Sequence, residues 1–488
     1  MRRGRRLVVV SNRLPVTVNT SGNEPVIEHS SGGLVTALSP VLQQYSGYWI
    51  GWTGTERSED IDRLFDEYSC GGYELVPLYL TNDERINFYL GFSNEILWPL
   101  FHDLQTRCNF DPAYWQTYVN VNDKFAKTLV KVASPADLVW VQDYHLMLVA
   151  EAVKQRSPDW ELAYFHHIPF PSPDMLEKLP WRTKILEALL HFNLLGFQTK
   201  RDRRNFVSCV REFLPEAEVS RIGERTSVSL GTRRSLLGDF PIGIDFEQFS
   251  SGASDPAVAE RAAQIKSDLG GCAFVLGLDR LDYTKGIPER LRSFRSLLEA
   301  DPEIHGKIAL VQVVVPSRVE IPKYRDLRAD IERLVSSING SFGKSGWVPV
   351  HYLHRNMEKN ELLAYYRGAD IALITPLKDG MNLVCKEYCA SQVDEQGVLV
   401  LSEFAGAATQ LKDAALLVNP NDFEAVGQTI RAALNMSPEE KRQRMRRLRK
   451  IVARESVYRW AKHFLYESRR TRRPLCDELR AAPFTHAA

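Results

Sequence analysis

Short β-branched runs alternate with longer helical patterns along most of the chain, and that alternation dictates βαβ units built on mostly parallel sheets. Leu7–Val10, Leu138–Val141, Leu162–Phe165 and Leu194–Phe197 are the clearest strands of the first half. Ala273–Leu276, Ile308–Val315, Ile371–Ile374 and Val398–Leu401 are those of the second. At 488 residues the chain exceeds the size at which one core stops growing, so two domains are expected. The Pro/Gly-punctuated passage Phe240–Asp245 and the small polar Ser250–Ser254 mark the boundary between them. No internal repeat or low-complexity tract demands another architecture.

Lys plus Arg number 62 and Asp plus Glu 61, so no global field steers the chain to nucleic acid or to an anionic membrane. Any anion recognition has to be local. The seven cysteines are scattered and form no C-x-x-C pair, which suits the thiols of a reducing compartment and neither a disulfide framework nor a zinc site. Behind the basic opening Met1–Arg6, the apolar run Leu7–Val10 stops at Ser11-Asn12-Arg13, too short for a secretory segment, and no run reaches transmembrane length. A cytoplasmic protein is expected.

The strand ends carry the chemistry. Leu278-Asp279-Arg280-Leu281-Asp282-Tyr283-Thr284-Lys285-Gly286 reads as strand, basic loop and helix, delivering Arg280 and Lys285 to the crevice where open α/β sheets bind ligands. Arg318 follows the run Val313–Val315 and presents a guanidinium fork suited to a phosphate, with a surface ion pair as the alternative. After Thr375, Gly380 permits a tight turn and a helix starting near Asn382 would aim free N–H groups at the crevice. Asp379 would accept from hydroxyls there, and Glu387, about one and a half turns into that helix, would reach a ribose. Plain turn and solvated-helix roles remain open for both. In the first half, Ser11-Asn12-Arg13, Asp143-Tyr144-His145 and His166-His167 each close a strand, and Ser31-Gly32-Gly33 opens a helical pattern to Gln43. Paired glycines also make ordinary turns. Because strand side chains alternate, only one of His166 and His167 is expected to point into a site. No ligand spacing supports a metal. The basic tract Lys441–Lys450 reads as the solvated face of a helix whose buried stripe is Met445, Leu448 and Val452.

In this order the segments resemble the trehalose-6-phosphate synthase family of retaining glucosyltransferases, from about Leu7 to Trp460. The matching stretches include Ser11–Pro15, Gly32–Leu34, Trp49–Trp52, Tyr89 through Asn94 to Pro99, Asp143–Leu146, His167–Pro171, Arg280–Gly286, Pro316–Arg318, Asp379–Val384 with Lys386–Tyr388, and Leu401–Ala408. Gln142, Lys378 and Cys385 depart from the usual pattern, and none of the three holds an assigned role. The resemblance implies an α/β fold of the GT-B kind, two Rossmann-like domains with mostly parallel sheets facing across a cleft. It divides the chain into residues 1–242 on the acceptor side, 243–455 binding the nucleotide sugar, and 456–488 as a helix crossing back to the first domain plus a tail.

Carried over, the family puts Arg280 and Lys285 on the donor diphosphate, Glu387 on the ribose, and Asp379 with Gly380, Met381, Asn382, Leu383 and Val384 on the transferred glucose, with Gly33 also on the donor. His167 and Asp143 would sit at the reacting sugars as catalytic groups beside Arg280 and Lys285. Arg13, Tyr89, Trp98, Asp143 and Arg318 would hold the acceptor. Tyr89 and Trp98 read from pattern alone as core aromatics. The implied reaction moves glucose from a nucleotide-glucose, UDP-glucose favoured, to glucose 6-phosphate, giving α,α-trehalose 6-phosphate without cofactor or metal. Expected partners are these small molecules, not nucleic acid or membrane, with a homo-oligomer as an open expectation and a separate trehalose-6-phosphate phosphatase completing the pathway. Two rivals are a glucosylglycerol-phosphate synthase, which takes glycerol 3-phosphate, and a non-catalytic regulatory homologue that only binds sugar phosphates.

Overall fold

The computed structural model describes residues 6–19, 25–29, 33–45, 47–68, 71–222, 225–318 and 320–471. The chain divides into two compact units, Met1–Phe240 with Trp460–Ala488, and Pro241–Arg459. Among the described residues no helix is long and apolar enough to cross a membrane.

Unit 1 begins with β1 (Leu7–Arg13), a small antiparallel pair β2 (Val16–Asn19) and β3 (Val26–His29), then β4 (Gly47–Trp52) and β5 (Glu74–Leu78). It continues through β6 (Leu138–Gln142), β7 (Leu162–His166) and β8 (Leu194–Phe197) to β9 (Glu218–Ile222), β10 (Arg225–Leu230) and β11 (Arg233–Asp239). The large sheet runs β5-β4-β1-β6-β7-β8-β11-β10-β9, parallel from β5 to β11 and closed by the antiparallel β10 and β9. Leu7 to Val10 and all of β6 and β7 are buried, as strands covered on both faces must be.

Unit 2 holds β12 (Ala273–Arg280), β13 (Ile308–Val315), β14 (Val350–His354), β15 (Ile371–Ile374), β16 (Val398–Ser402) and β17 (Leu416–Val418), all parallel, in the order β14-β13-β12-β15-β16-β17. That is the 3-2-1-4-5-6 order of the Rossmann fold, whose chain direction reverses between β12 and β15 and so opens a crevice at their carboxyl ends. In unit 1 the same reversal falls beside β1, between β4 and β6. The basic helix Pro438–Arg454 buries Met445, Leu448 and Val452 and pairs outward through Arg444–Glu440 at 2.8 Å and Arg446–Glu395 at 2.8 Å.

Candidate active site

In unit 1, the pairing of β1 with β4 slips between Val10 and Arg13. Such a bulge re-aims the next side chain. Ser11 fixes it, its Oγ donating to the Arg13 carbonyl at 2.6 Å and accepting from Trp49 Nε1 at 2.7 Å. The Arg13 guanidinium lies over the Trp52 ring, 4.7 Å from its centroid, and against Gly54, where a Cβ would come within 2.2 Å of Nη1. Gly54 also sits at φ +93°, a conformation glycine tolerates best. Among the described residues the guanidinium has no hydrogen bond or ion pair, and desolvation lowers its pKa from the usual arginine value. A desolvated cation without a counter-ion is poised for an anionic ligand.

Tyr89 stands edge-on to Trp52 at 5.5 Å and stacks on His145 at 6.1 Å. It belongs to a helix of the π type, Arg85–Leu97, in which Trp98 N donates to Ser93 O five residues back. Helical widening of this kind recurs at functional sites. Trp98 is buried against His102 and Tyr144, so its ring packs in the core while Tyr89 stays partly open.

Asp143 ends β6 at φ +69°, a strained conformation for a residue with a side chain. Its Oδ1 accepts from His167 N at 3.1 Å, tying the ends of β6 and β7. Both His167 ring nitrogens are engaged: Nε2 with Gln142 Oε1 at 2.8 Å and Nδ1 with Gln198 Nε2 at 3.2 Å. One glutamine oxygen takes a proton and one amide gives one, which fixes the neutral tautomer carrying its proton on Nε2. Desolvation pushes the ring down to about 3, so it orients neighbours instead of shuttling protons near neutrality. His166 faces the interior, wholly buried against Tyr164 Oη at 3.0 Å. Gly33 opens the helix Gly33–Tyr45, while Ser31 and Gly32 lie outside the described residues.

In unit 2, the loop after β12 and the loop after β15 meet. Lys285 Nζ lies 2.5 Å from Asp379 Oδ2, both largely buried. Asp379 Oδ1 accepts from Met381 N at 3.2 Å, and Oδ2 from Asn382 Nδ2 at 3.3 Å, so the carboxylate organises the Gly380–Asn382 turn. Gly406 supports that turn from below, since a Cβ there would come within 1.9 Å of Gly380 O. The helix opens at Val384, two residues past Asn382, which adopts φ +71° and whose Oδ1 accepts from Cys385 N at 3.1 Å. Glu387 consequently lies in the first turn, not one and a half turns in. Its Oε2 accepts from Tyr366 Oη at 2.8 Å, and burial raises its pKa against that hydrogen bond.

Arg318, at φ +47°, reaches Asp282 Oδ2 at 3.5 Å and donates to Tyr324 Oη at 2.7 Å. Burial alone would raise the Asp282 pKa. Arg318, Lys285 and Arg280 outweigh it and hold the carboxyl below its usual value. The three predicted cations thus all act to lower the pKa of one carboxylate, Arg318 by contact, with Arg280 exposed at the end of β12. Arg318 belongs to this unit and Arg13, Tyr89 and Trp98 to the other, so the predicted acceptor set divides between the two.

Partners chosen only by the fold escaped the sequence reading. Arg290, wholly buried, pairs with Asp279 at 2.7 Å and also contacts Thr375 Oγ1, Gln312 Oε1 and the Lys285 carbonyl. Lys386, beside Glu387, donates to Ile242 O and Gln410 Oε1, each at 2.7 Å. A charged residue inside an otherwise apolar helix stripe, as at Arg290, is the signal that could have exposed that strut. Among the described residues no cluster of His, Cys, Asp and Glu could hold a metal ion.

Two Rossmann-like units with their polar groups at the carboxyl ends of the strands define a GT-B glycosyltransferase. A model of Glycosyltransferase family 20 matches residues 5–470, and the chain belongs to that family. It is 44% identical to the trehalose-6-phosphate synthase of Mycolicibacterium gilvum, covering 96% of this chain and 95% of that protein. A UDP-forming α,α-trehalose-phosphate synthase from Burkholderia xenovorans, solved with glucose-6-phosphate, superposes with a TM-score of 0.87 at 32% identity, over 95% of this chain and 100% of that one. An E. coli structure with UDP-2-fluoro glucose bound gives 0.87 at 33% identity, over 96% and 99%.

Proposed function

We propose that the chain transfers glucose, with retention of configuration, from UDP-glucose to the anomeric hydroxyl of glucose 6-phosphate, giving α,α-trehalose 6-phosphate. The observation that supports this reading is the half-buried Arg13 guanidinium at the carboxyl end of β1, desolvated and without a carboxylate partner among the described residues, which suits a phosphomonoester. The family's relatives support it at high identity over nearly the whole length. In unit 2, Arg280 and Lys285 would stabilise the charge that develops on the departing diphosphate, each charge-assisted hydrogen bond contributing roughly 1.5–3 kcal/mol. Asp379 and the Gly380–Val384 turn would hold the glucose, and Glu387 the ribose.

No carboxylate stands out as a nucleophile, so we assign front-face attack: the donor anomeric C–O bond breaks toward the diphosphate, the acceptor oxygen bonds to that carbon, and its proton passes to a leaving phosphate oxygen. A trapped covalent glucosyl-enzyme would overturn this step. The reading requires no metal, and excess chelator is expected to leave turnover unchanged. A cytoplasmic setting is proposed from the scattered thiols, with a separate phosphatase acting on the product. Self-association is a further proposal, tested by light scattering.

The test is an assay of purified protein with glucose 6-phosphate and, in turn, UDP-, ADP- and GDP-glucose, identifying the product. Release of UDP with trehalose 6-phosphate is expected. Turnover with glycerol 3-phosphate in its place, or none with any donor, would overturn the assignment.

A further inference from the structure

The chain is nearly neutral overall, yet one groove of unit 1, lined by none of the site residues above, concentrates cations. Its floor is β10 and β11, at Thr226, Leu237 and Gly238, and its walls are the helices Lys200–Phe213 and Val457–Arg470. The cavity encloses about 770 Å³, and a neighbouring one of about 440 Å³ shares Arg203, Arg221 and Thr226 with it. Volumes of this order suit a small molecule. The first helix supplies Lys200 and Arg203 to the larger chamber and Arg204 and Arg211 to the smaller. Arg221 and Arg225 come from the β9–β10 hairpin, and Arg470 from the second helix. Against these stand two carboxylates, Asp239, 3.1 Å from Arg203, and Glu467, 2.5 Å from Arg225. The smaller chamber has no carboxylate among its described lining residues.

Concave walls of one charge focus the field and concentrate counter-ions. Guanidinium forks favour phosphate oxygens over single-point anions. Both walls also lead to His167. Gln198, two residues before Lys200, holds the His167 ring at 3.2 Å, and Trp460, on the second helix, lies 6.1 Å from the same ring. We propose that this groove is a binding site for a phosphate-bearing small molecule carrying several negative charges, and that its occupancy alters turnover through the Gln198 and Trp460 contacts to His167.

The probes are inorganic tripolyphosphate and ATP, titrated calorimetrically into the full chain with UDP and glucose 6-phosphate present at saturation. Binding is expected, weakening about tenfold or more in the double variant R204E/R211E, which touches neither substrate set, and weakening again as salt rises past roughly 0.3 M. Comparable affinity for the two probes would point to phosphate alone, and a preference for ATP to a nucleotide. The variant should keep its basal turnover and its far-UV dichroism while losing the probe's effect on wild-type rate. Absence of binding to the wild-type chain, or equal affinity in the variant, overturns the site. Binding that leaves the rate unchanged overturns the effector role, and tighter binding of a short RNA with the same variant dependence overturns the small-molecule occupant.

Discussion

Arg13 of unit 1 and the paired cations at the strand ends of unit 2 are held in opposite ways. In unit 2 Lys285, Arg290 and Arg318 are each matched with a carboxylate, and the Arg290–Asp279 pair is sealed from solvent at 0% and 1% exposure. In unit 1 Arg13 is desolvated against the Trp52 ring, near Tyr89, with no carboxylate partner among the described residues. A matched set is rigid before any ligand arrives, and a diphosphate would enter it by sharing cations already in place. An unmatched cation is unfavourable until its anion binds, so the energy of desolvation has already been spent when the phosphate arrives. Unit 2 should therefore depend on these paired cations for stability, whereas Arg13 should matter for binding alone.

The sharpest way to break this contrast is to remove one cation from each. Arg290→Met strands Asp279 in the interior and is expected to destabilise unit 2 by roughly 3–5 kcal/mol, read as loss of hydrogen-exchange protection across β12 and β15. Arg13→Met should do the reverse. Its kcat/KM for glucose 6-phosphate is expected to fall about a thousandfold, equivalent to about 4 kcal/mol, while the Tm of the substrate-free protein stays level or rises. A marked drop in Tm would show that Arg13 has a structural partner and would erase the distinction.

Two glycines sharpen the contrast at smaller amplitude. Gly54→Ala would drive a methyl into the Arg13 guanidinium, and Gly406→Ala would lift the Gly380–Asn382 turn. Each should raise KM by about tenfold, as a lost charge-assisted contact would, the first for glucose 6-phosphate and the second for UDP-glucose. Crossed effects, with either variant impairing both substrates equally, would mean that the two sets do not act separately.

What the sequence disclosed follows the same divide between groups and their partners. Largely apolar runs such as Ile308–Val315, broken only at Gln312, and Ile371–Ile374 were legible because a parallel strand is buried on both faces and needs no periodicity. The β9–β11 meander was not, since Glu218–Ile222 and Arg225–Leu230 lie at the sheet margin and mix charge with Ser and Thr. Glycine at the first and next-to-last positions of Gly47–Trp52 likewise disguises β4, although its motif carried part of the family resemblance. Arg13, Arg280, Lys285 and Asp379 could be picked out because each ends or follows a strand. Their environment could not: that Asp379 grips Lys285, that Arg318 reaches Asp282, and that Gln198 and Gln142 clasp His167 depend on contacts between residues far apart in sequence.

The gentlest test uses pH, because burial acts on different groups in the two units. In unit 1 it pushes His166 and His167 down to about 3 and His191 to about 4. The unfolded chain takes up protons on these rings near pH 6.5 and the folded unit does not, so unit 1 loses stability as pH falls from about 6.5 toward those lower values. In unit 2 burial raises Asp279 and Glu387, which favours the protonated folded form, so acidification through their folded pKa values relieves a cost. His351 and His354 are also lowered by burial and oppose that relief from positions partly open to solvent. Hydrogen exchange followed from pH 7 to pH 5 should accordingly show protection falling first in β6 and β7 and holding in β12 and β15. Equal loss in both units would mean that His351 and His354 cost unit 2 as much as the buried histidines cost unit 1, and the electrostatic contrast would then rest on Arg13 alone.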